Sequence, residues 1–299
     1  MKHLLSVTDL TADDIVQLIR RSIELKTELK KQAVHANPPL KRKSMAMIFD
    51  KSSLRTRLSF EVGMTQLGGH AVYLAPDDIR LGRRESVHDT AVVVSGMADV
   101  IVARVSSHKD VEELAAHSSV PVINAMTDAE HPCQVLADLQ TIYEKFGGFD
   151  GIRLAYLGDA DSNVSNSLAL AAQMLGMELA VAAPEGYGLG ADIRRRAKSV
   201  RHYDDPKEAA RGAHAVITDT WVSMGKEAES ARRLSALKPY QVTRSLMRLA
   251  DKDAIFMHCL PAYRGKEVTA EVIDGPQSKV FEEAENRLHA QKALITHLL

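Results

Sequence analysis

Cysteine is nearly absent from this 299-residue chain, which has only Cys133 and Cys259. A disulfide scaffold is therefore not expected, and a cysteine-rich zinc site is excluded. No stretch reaches the ~18 uncharged apolar residues that a transmembrane helix requires, and the first residues lack the basic-then-apolar pattern of a signal peptide. The net charge is only -1, so electrostatics give no reason to expect nucleic acid or an anionic membrane as a partner. We therefore expect a cytoplasmic enzyme or binding protein.

The chain does have ample apolar material, since 45% of its residues are hydrophobic, and this excludes disorder as its main state. At ~150 residues per domain, the length predicts two domains. Short apolar strands alternate with helical patterns up to the glycine-rich stretch 147–151, where the same rhythm restarts. This alternation predicts an α/β protein with two doubly wound parallel-sheet domains. The predicted strands are 45–49, 71–74, 100–105, 120–124, 152–157, 178–183, 213–218 and 254–258.

Polar residues follow several of these strands, at the ends where open α/β sheets bind ligands. The segment Asp50–Arg57 opens a helix after the first strand, where Ser53 can cap the helix and Arg55 and Arg57 can hold the oxygens of an anion. The alternative is a capped surface helix with solvated arginines. Arg104 ends the third predicted strand and either faces a site or extends its charged head to solvent.

Two further groups carry candidate chemistry. His131 and Gln134 lie at the start of a helix, where His131 can polarise or protonate a substrate oxygen and Gln134 can bind a neutral amide, although a lone loop histidine is often structural. In the second half, Asp219 follows a strand and can bind an ammonium group, while Cys259 is alternatively a small buried hydrophobe. An anion-binding half and an ammonium-binding half together predict a two-substrate site in the interdomain cleft.

With these motifs in place, the chain resembles the aspartate/ornithine carbamoyltransferase family from about Leu4 to the C-terminus. The two markers that begin at Asp219 and His258 look like the ornithine branch of that family. In chain order, the markers are Ser53-Leu54-Arg55-Thr56-Arg57, Gly68-Gly69-His70, Glu85-Ser86, Ala103-Arg104, His131-Pro132-Cys133-Gln134, Asp219-Thr220-Trp221-Val222-Ser223-Met224-Gly225, His258-Cys259-Leu260-Pro261 and Glu285-Asn286-Arg287.

The resemblance implies a first domain, 1–148, that binds carbamoyl phosphate, a second, 149–282, that binds ornithine, and a C-terminal helix of about 283–299 that packs back on the first. The residues implied to contact carbamoyl phosphate are Ser53, Leu54, Arg55, Thr56, Arg80, Arg104, His131, Gln134 and Arg287. Those implied to hold ornithine are Asn163, Asp219, Ser223 and Met224, with Cys259 and Leu260 where the substrates meet. The implied catalytic residues are Arg55, Arg104, His131, Cys259 and Arg287.

Two positions depart from the family pattern. Leu54 stands where the family usually has threonine, so that a backbone N–H must replace one hydroxyl. Arg80 stands where relatives often have glutamine or histidine, in a stretch that in the family reaches the phosphate site of the neighbouring subunit. The resemblance further implies a homotrimer with shared active sites, a cis bond between Leu260 and Pro261, no cofactor and no metal.

The activity implied by the resemblance is transfer of the carbamoyl group from carbamoyl phosphate to the δ-amine of L-ornithine, giving L-citrulline and phosphate, as a step of arginine metabolism. One alternative is a carbamoyltransferase for N-acetylornithine or putrescine, which would not need Asp219 to pair with a free α-ammonium. A dinucleotide-dependent oxidoreductase would need a glycine fingerprint that Gly158-Asp159-Ala160 does not supply. A non-catalytic carbamoyl-phosphate sensor would lack the residues for a second substrate, which are present.

Overall fold

The computed structural model describes residues 3–79, 81–82, 84–222 and 229–299. The chain forms two compact units, a first unit of Met1–Gln140 with Glu285–Leu299 and a second unit of Thr141–Ala284. Within the described ranges, no helix is both long and apolar enough to cross a membrane.

The elements alternate between helix and strand in both units. Up to residue 146 they are α1 (Ala12–Gln32), β1 (Ser44–Phe49), α2 (Leu54–Gln66), β2 (His70–Leu74), α3 (Pro76–Ile79), α4 (Val87–Ser95), β3 (Val100–Arg104), α5 (His108–His117), β4 (Val122–Met126) and α6 (Pro132–Phe146). They continue as β5 (Arg153–Leu157), α7 (Asn163–Met174), β6 (Glu178–Ala182), α8 (Ala191–Arg196), β7 (Val200–Tyr203), α9 (Pro206–Ala210), β8 (Ala215–Ile217), α10 (Ser230–Leu237), α11 (Arg244–Met247), β9 (Ile255–Met257), α12 (Ala270–Ile273) and α13 (Val280–Leu298).

Local sequence explains how the first helix begins. The Thr11 side chain accepts a hydrogen bond from Asp14 N, and the Asp14 carboxylate accepts one from Thr11 N, which is the capping box expected from this pair. Ile15 and Ile19 then recur at helical spacing and are fully buried. The capping box and the apolar spacing therefore account for the start of α1.

Both sheets are entirely parallel, which confirms the predicted fold class. The first has the strand order β2-β1-β3-β4 and the second the order β7-β6-β5-β8-β9. In each sheet the chain reverses its direction of winding next to the first strand, between β1 and β3 in one unit and between β5 and β8 in the other. Open α/β sheets bind ligands beyond the carboxyl ends of the strands at such switch points.

The sequence did not predict β7 or α10. β7 pairs with β6 alone, at the edge of its sheet, and its central residues Arg201 and His202 are exposed. An edge strand with polar exposed residues lacks the apolar run that marked the buried strands.

Candidate active site

The hydroxyl of Thr56 lies at the centre of a cationic cluster at the switch point of the first unit. Arg104 Nη1 donates to Thr56 Oγ1 at 3.3 Å, and Arg287 Nη2 donates to the same oxygen at 3.5 Å. All three side chains are buried. Two guanidinium groups held against one hydroxyl at the start of a helix form a site suited to an anion.

Arg104 owes its position to an irregularity in the sheet. It is the last residue of β3, and the register with β4 shifts there, so that Ala103 pairs with Asn124 while Arg104 pairs with Met126. Such shifts redirect side chains and are frequent beside active sites. The side chain is 8% exposed, so the alternative in which Arg104 extends to solvent is wrong.

Gln134 connects α6 to α13 within the first unit. Its Oε1 accepts a hydrogen bond from Arg287 Nη1 at 2.7 Å, and its Nε2 donates to Asp138 Oδ1 at 2.9 Å. With its amide oriented to suit, Gln291 accepts from Arg287 Nε at 3.1 Å. Because the guanidinium is held on several sides, Arg287 is oriented before any substrate binds.

The pKa of His131 is lowered well below its ordinary value. Burial is the main cause, and the positive charges of Arg287, Arg104 and Arg55 add to it. His131 is therefore neutral at physiological pH, and it acts as a hydrogen-bond donor or acceptor rather than as an imidazolium. The same charges show that Arg55 lies close enough to belong to the cluster.

The start of α2 differs in two respects from expectation. Ser53 is the N-cap residue, but its hydroxyl makes no capping hydrogen bond, so the predicted cap is wrong and the hydroxyl remains available to a ligand. The Leu54 side chain is 75% exposed, which leaves its backbone N–H as the group that can face an anion. Arg57 pairs with Glu61 at 3.0 Å and stacks over the ring of Tyr73, so these two side chains compensate its positive charge.

In the second unit, Asp219 follows β8 at the switch point. Its Oδ1 accepts hydrogen bonds from Thr220 N at 2.7 Å and from Cys259 Sγ at 3.1 Å. The second carboxylate oxygen is therefore the one placed to receive an ammonium group. The thiol of Cys259 is half-buried and holds this carboxylate, so it is more than a small hydrophobe of the core.

Asn163 and Leu260 flank the same switch point. Asn163 is the first residue of α7, directly after the N-cap Ser162, and it lies at the carboxyl end of β5. Leu260 follows β9, has a positive φ of 58°, and precedes Pro261 through a cis peptide bond. The cis bond implied by the family resemblance is confirmed. Ser223, Met224 and Arg80, which the sequence also places in the site, lie outside the described residues.

Sequence analysis missed the carboxylates that hold His258. Its backbone N–H donates to Glu283 Oε2 at 2.9 Å, its Nδ1 accepts from Leu260 N at 2.9 Å, and its Nε2 lies 3.3 Å from Glu267 Oε1. Both glutamates are buried. These contacts fix the backbone that carries Cys259 and Leu260. Their sequence neighbours gave no signal, because Glu267 follows Lys266 and Glu283 follows Glu282, so that both resemble surface carboxylates.

Among the described residues, one group of side chains has an arrangement that can hold a metal ion. It comprises Asp219, His258 and Cys259, whose ligand atoms all lie within 4.8 Å of one another. The Cys259 thiol donates to Asp219, and His258 Nδ1 is engaged by Leu260 N. These atoms therefore already hold one another, and the arrangement is equally that of a preorganised carboxylate for an amine.

Comparisons with known proteins agree over the whole chain. The family model described as "Aspartate/ornithine carbamoyltransferase, carbamoyl-P binding domain" matches residues 2–144, and the one for the "Asp/Orn binding domain" matches residues 150–298. An ornithine carbamoyltransferase of Nitrosococcus oceani is 52% identical, over 99% of this chain and 97% of that protein. One of Caldicellulosiruptor saccharolyticus is 50% identical, over 99% and 97% respectively. The solved structure of the ornithine carbamoyltransferase from Pyrococcus furiosus has a TM-score of 0.94 at 46% identity and covers 99% of this chain and 96% of that one.

Proposed function

Since the chain belongs to the aspartate/ornithine carbamoyltransferase family, we propose that it transfers the carbamoyl group of carbamoyl phosphate to the δ-amine of L-ornithine, giving L-citrulline and phosphate. The observation that carries this proposal is the pairing of opposite chemistries at two switch points. In the first unit, Arg104 and Arg287 contact the Thr56 hydroxyl, and Arg55 adds a third positive charge near His131. In the second unit, Cys259 holds the carboxylate of Asp219. On this proposal the first unit binds carbamoyl phosphate and the second binds ornithine.

The cationic cluster stabilises the anion in both the ground and the transition state. The phosphoryl oxygens bind at the N-terminal turn of α2 with the Ser53 and Thr56 hydroxyls, and Arg55, Arg104 and Arg287 supply positive charge. When the amine attacks the carbonyl carbon, negative charge develops on the carbonyl oxygen and then on the departing phosphate. A preorganised donor at such a position is worth ~3 kcal/mol, or roughly 100- to 1,000-fold in rate.

His131 acts as a neutral group because its pKa is lowered by burial and by the arginines. A neutral imidazole hydrogen-bonds the carbonyl oxygen without adding a charge that the arginines would repel. Gln134, whose Oε1 is held by Arg287, lies beside the same cluster and binds the carbamoyl amide. These two residues orient the carbamoyl group, and the arginines stabilise the charge that the reaction creates.

Asp219 binds the α-ammonium of ornithine and so directs the δ-nitrogen to the carbonyl carbon. Asn163, Ser223 and Met224 complete the binding of the α-group, and Cys259 and Leu260 lie where the two substrates meet. The neutral δ-amine attacks, a C–N bond forms, the C–O bond to phosphate breaks, and the departing phosphate takes up the proton that the amine nitrogen loses. No covalent enzyme intermediate is required.

The experiment that tests this assignment compares three amines. We expect ornithine to exceed putrescine, which lacks the α-carboxylate, and N-acetylornithine, which has a neutral amide in place of the α-ammonium. A site built for a polar group rejects an analogue that lacks it by ~10⁴-fold or more. The substitution Asp219→Asn should lower kcat/KM for ornithine steeply and narrow its advantage over N-acetylornithine.

The matched control is Asp192→Asn, an exposed carboxylate on α8 that pairs with Arg195 at 3.0 Å and should leave all three values unchanged. If N-acetylornithine or putrescine is the better substrate of the unmodified protein, the ornithine assignment is wrong. Leu54, which stands where the family usually has threonine, is then the first position to exchange.

A homotrimer with shared active sites is also part of the proposal. Of the ten large hydrophobic side chains exposed within the described ranges, six lie on α2, β2 and α4 or directly after α4. They are Leu54, Leu58, Val72, Val92, Val93 and Met97. Apolar side chains concentrated on a few elements of one unit are typical of a protein–protein interface. This concentration supports assembly through the first unit.

Sedimentation tests the assembly. Leu58→Glu should dissociate the oligomer, whereas Val34→Glu, an equally drastic change at a side chain that is 64% exposed elsewhere in the first unit, should not. Mixing inactive Arg80→Ala and inactive Arg104→Ala subunits should restore part of the activity, because hybrid trimers contain intact composite sites. Absence of recovery after confirmed subunit exchange refutes shared sites. The cytoplasmic location and the role in arginine metabolism stay predictions.

A further inference from the structure

A buried arginine outside the predicted site connects two loops of the second unit. Arg233 stands on α10 and is only 4% exposed. Its Nε donates to the carbonyl oxygen of Trp221 at 2.7 Å, and its Nη2 forms an ion pair with the carboxylate of Asp159. Its guanidinium carbon also lies 5.0 Å from the centre of the Tyr187 ring. One planar side chain therefore holds acceptors from two separate segments.

The first of these segments is the loop between β5 and α7. Asp159 is fixed within it, because its carbonyl oxygen accepts from Tyr156 OH at 3.1 Å and its Oδ1 accepts from Asp161 N at 3.3 Å. The loop ends at Ser162, the N-cap of α7, so that Asn163 takes its position from this loop. Any shift of Asp159 would be passed along four residues to Asn163.

The second segment is the chain that leaves β8. Thr218 Oγ1 donates to Leu157 O at 2.6 Å and ties this segment to the end of β5. Asp219 follows directly, and Trp221 lies two residues beyond it. The Trp221 ring packs so closely on Gly158 that a Cβ there would lie 2.8 Å from its Nε1. The indole ring and the Arg233 side chain thus both join the same two loops.

We propose that Arg233 is a positioning residue for the amine substrate. It fixes the loop that carries Asn163 relative to the segment that carries Asp219, at the switch point between β5 and β8, and so sets the spacing of the two side chains that bind the α-group of ornithine. This inference rests on the proposed function, since it takes both residues as ornithine ligands. Arg233 touches neither substrate itself.

The energetics of buried ion pairs argue against a role in stability alone. Desolvation of two charges offsets much of their attraction, and apolar replacements of whole pairs are often neutral or stabilising. A buried arginine that bridges two loops instead restricts their geometry. Lysine would preserve the positive charge opposite Asp159, but it lacks the planar guanidinium that reaches both Asp159 and the Trp221 carbonyl. The Arg233→Lys variant therefore separates charge compensation from positioning.

The test measures steady-state kinetics with both substrates varied, for the unmodified protein, Arg233→Lys, and the double variant Arg233→Met with Asp159→Asn. We expect KM for ornithine to rise at least tenfold in both variants, whereas KM for carbamoyl phosphate stays within about twofold and kcat at saturating ornithine within about threefold. Arg232→Met is the matched control, because this neighbouring arginine on α10 is exposed and should change none of the three constants.

The outcomes distinguish failure of the proposed function from failure of the positioning role of Arg233. If the unmodified protein makes no citrulline, the proposed function fails. If it makes citrulline and the variants keep the KM for ornithine, or raise both KM values alike, the positioning role is refuted. The double variant leaves no buried charge without its partner, so it tests the role even where a single variant fails to fold. Thermal unfolding of each protein identifies such a failure, and a double variant that cannot fold would itself refute positioning in favour of a purely structural role.

Discussion

Removing Arg104 should make the ligand-free protein more stable while it destroys activity. The contacting nitrogens of Arg104 and Arg287 are at most 6.8 Å apart, the sum of their 3.3 Å and 3.5 Å distances to Thr56 Oγ1. Two positive charges at that separation repel by about 2 kcal/mol at an effective dielectric constant of ~20. Loss of the hydrogen bond to Thr56 offsets about 1 kcal/mol of this relief. These two contributions together predict that Arg104→Met raises the free energy of unfolding by about 1 kcal/mol.

The same change should lower kcat by ~100-fold or more, because it removes a charge placed where the oxyanion and the phosphate develop. The assay is urea unfolding in phosphate-free buffer and again with excess phosphate, which should stabilise the unmodified protein more than the variant. The pKa of His131, followed by NMR, should rise, since Arg104 is one of the charges that lower it.

Arg21→Met is the control for that experiment, because Arg21 lies on α1, pairs with Glu24 at 2.9 Å and is half exposed. It should change neither stability nor kcat appreciably. The argument on stability is refuted if Arg104→Met is less stable than the unmodified protein without phosphate. The argument on catalysis is refuted if the variant retains kcat within a few-fold.

Three further predictions follow from titration and packing. Burial lowers the pKa of the fully buried Lys292 from 10.5 to about 8, although the charge of Glu28 acts in the opposite direction. Between these two pKa values the unfolded chain binds more protons than the folded one. The free energy of unfolding should therefore rise by about 3 kcal/mol from pH 8 to 10.5. Lys292→Met should abolish that rise in urea titrations, and an unchanged slope would contradict it. The kcat/KM for ornithine should rise about tenfold per pH unit from ~pH 6 to ~8.5, because an alkyl ammonium has a pKa near ~10.4 and only the free amine attacks. A flat profile would mean that deprotonation of the amine does not limit the rate. Gly158→Ala should lower the melting temperature and raise KM for ornithine, because Gly158 has a φ of +114° and a new Cβ would lie 2.8 Å from Trp221 Nε1. The control is Gly186→Ala, where φ is +83° and a new Cβ would meet nothing within 4 Å. It should lower only the melting temperature.

The parallel sheets were predictable because their strands are short apolar runs between helical patterns. Buried strands such as β3 consist almost wholly of β-branched and small apolar residues and carry this signal clearly. The edge strand β7 does not, because a strand that pairs on one side only can expose Arg201 and His202. Sequence alone does not show whether a strand pairs on one side or on both sides within its sheet.

The anion site was predictable in its members but not in its geometry. Resemblance to the family indicated Thr56, Arg104 and Arg287, and in the structure both arginines donate to the Thr56 hydroxyl. Spacing alone cannot predict this, because these residues come from α2, β3 and α13, which tertiary folding brings together. The neutral state of His131 depends on its burial and on the charges of these arginines, so the sequence alone could not predict it either.

Arg233 shows why some functional residues escape sequence analysis. It stands beside Arg232 in a polar stretch, and nothing in composition distinguishes the buried arginine from the exposed one. Helical phase is the only clue, because Leu237 lies four residues further on the same face of α10 and is fully buried. That clue requires knowing that α10 exists, and the sequence did not predict this helix.

The most direct test of the account is to incubate the purified protein with carbamoyl phosphate and L-ornithine and to quantify both products. We predict that citrulline and phosphate appear in equal amounts, that the rate depends on both substrates, and that Arg104→Ala and Asp219→Asn both lose most of it. Phosphate release without citrulline, or a higher rate with N-acetylornithine or putrescine than with ornithine, would contradict the central claim that the carboxylate of Asp219 selects ornithine as the carbamoyl acceptor.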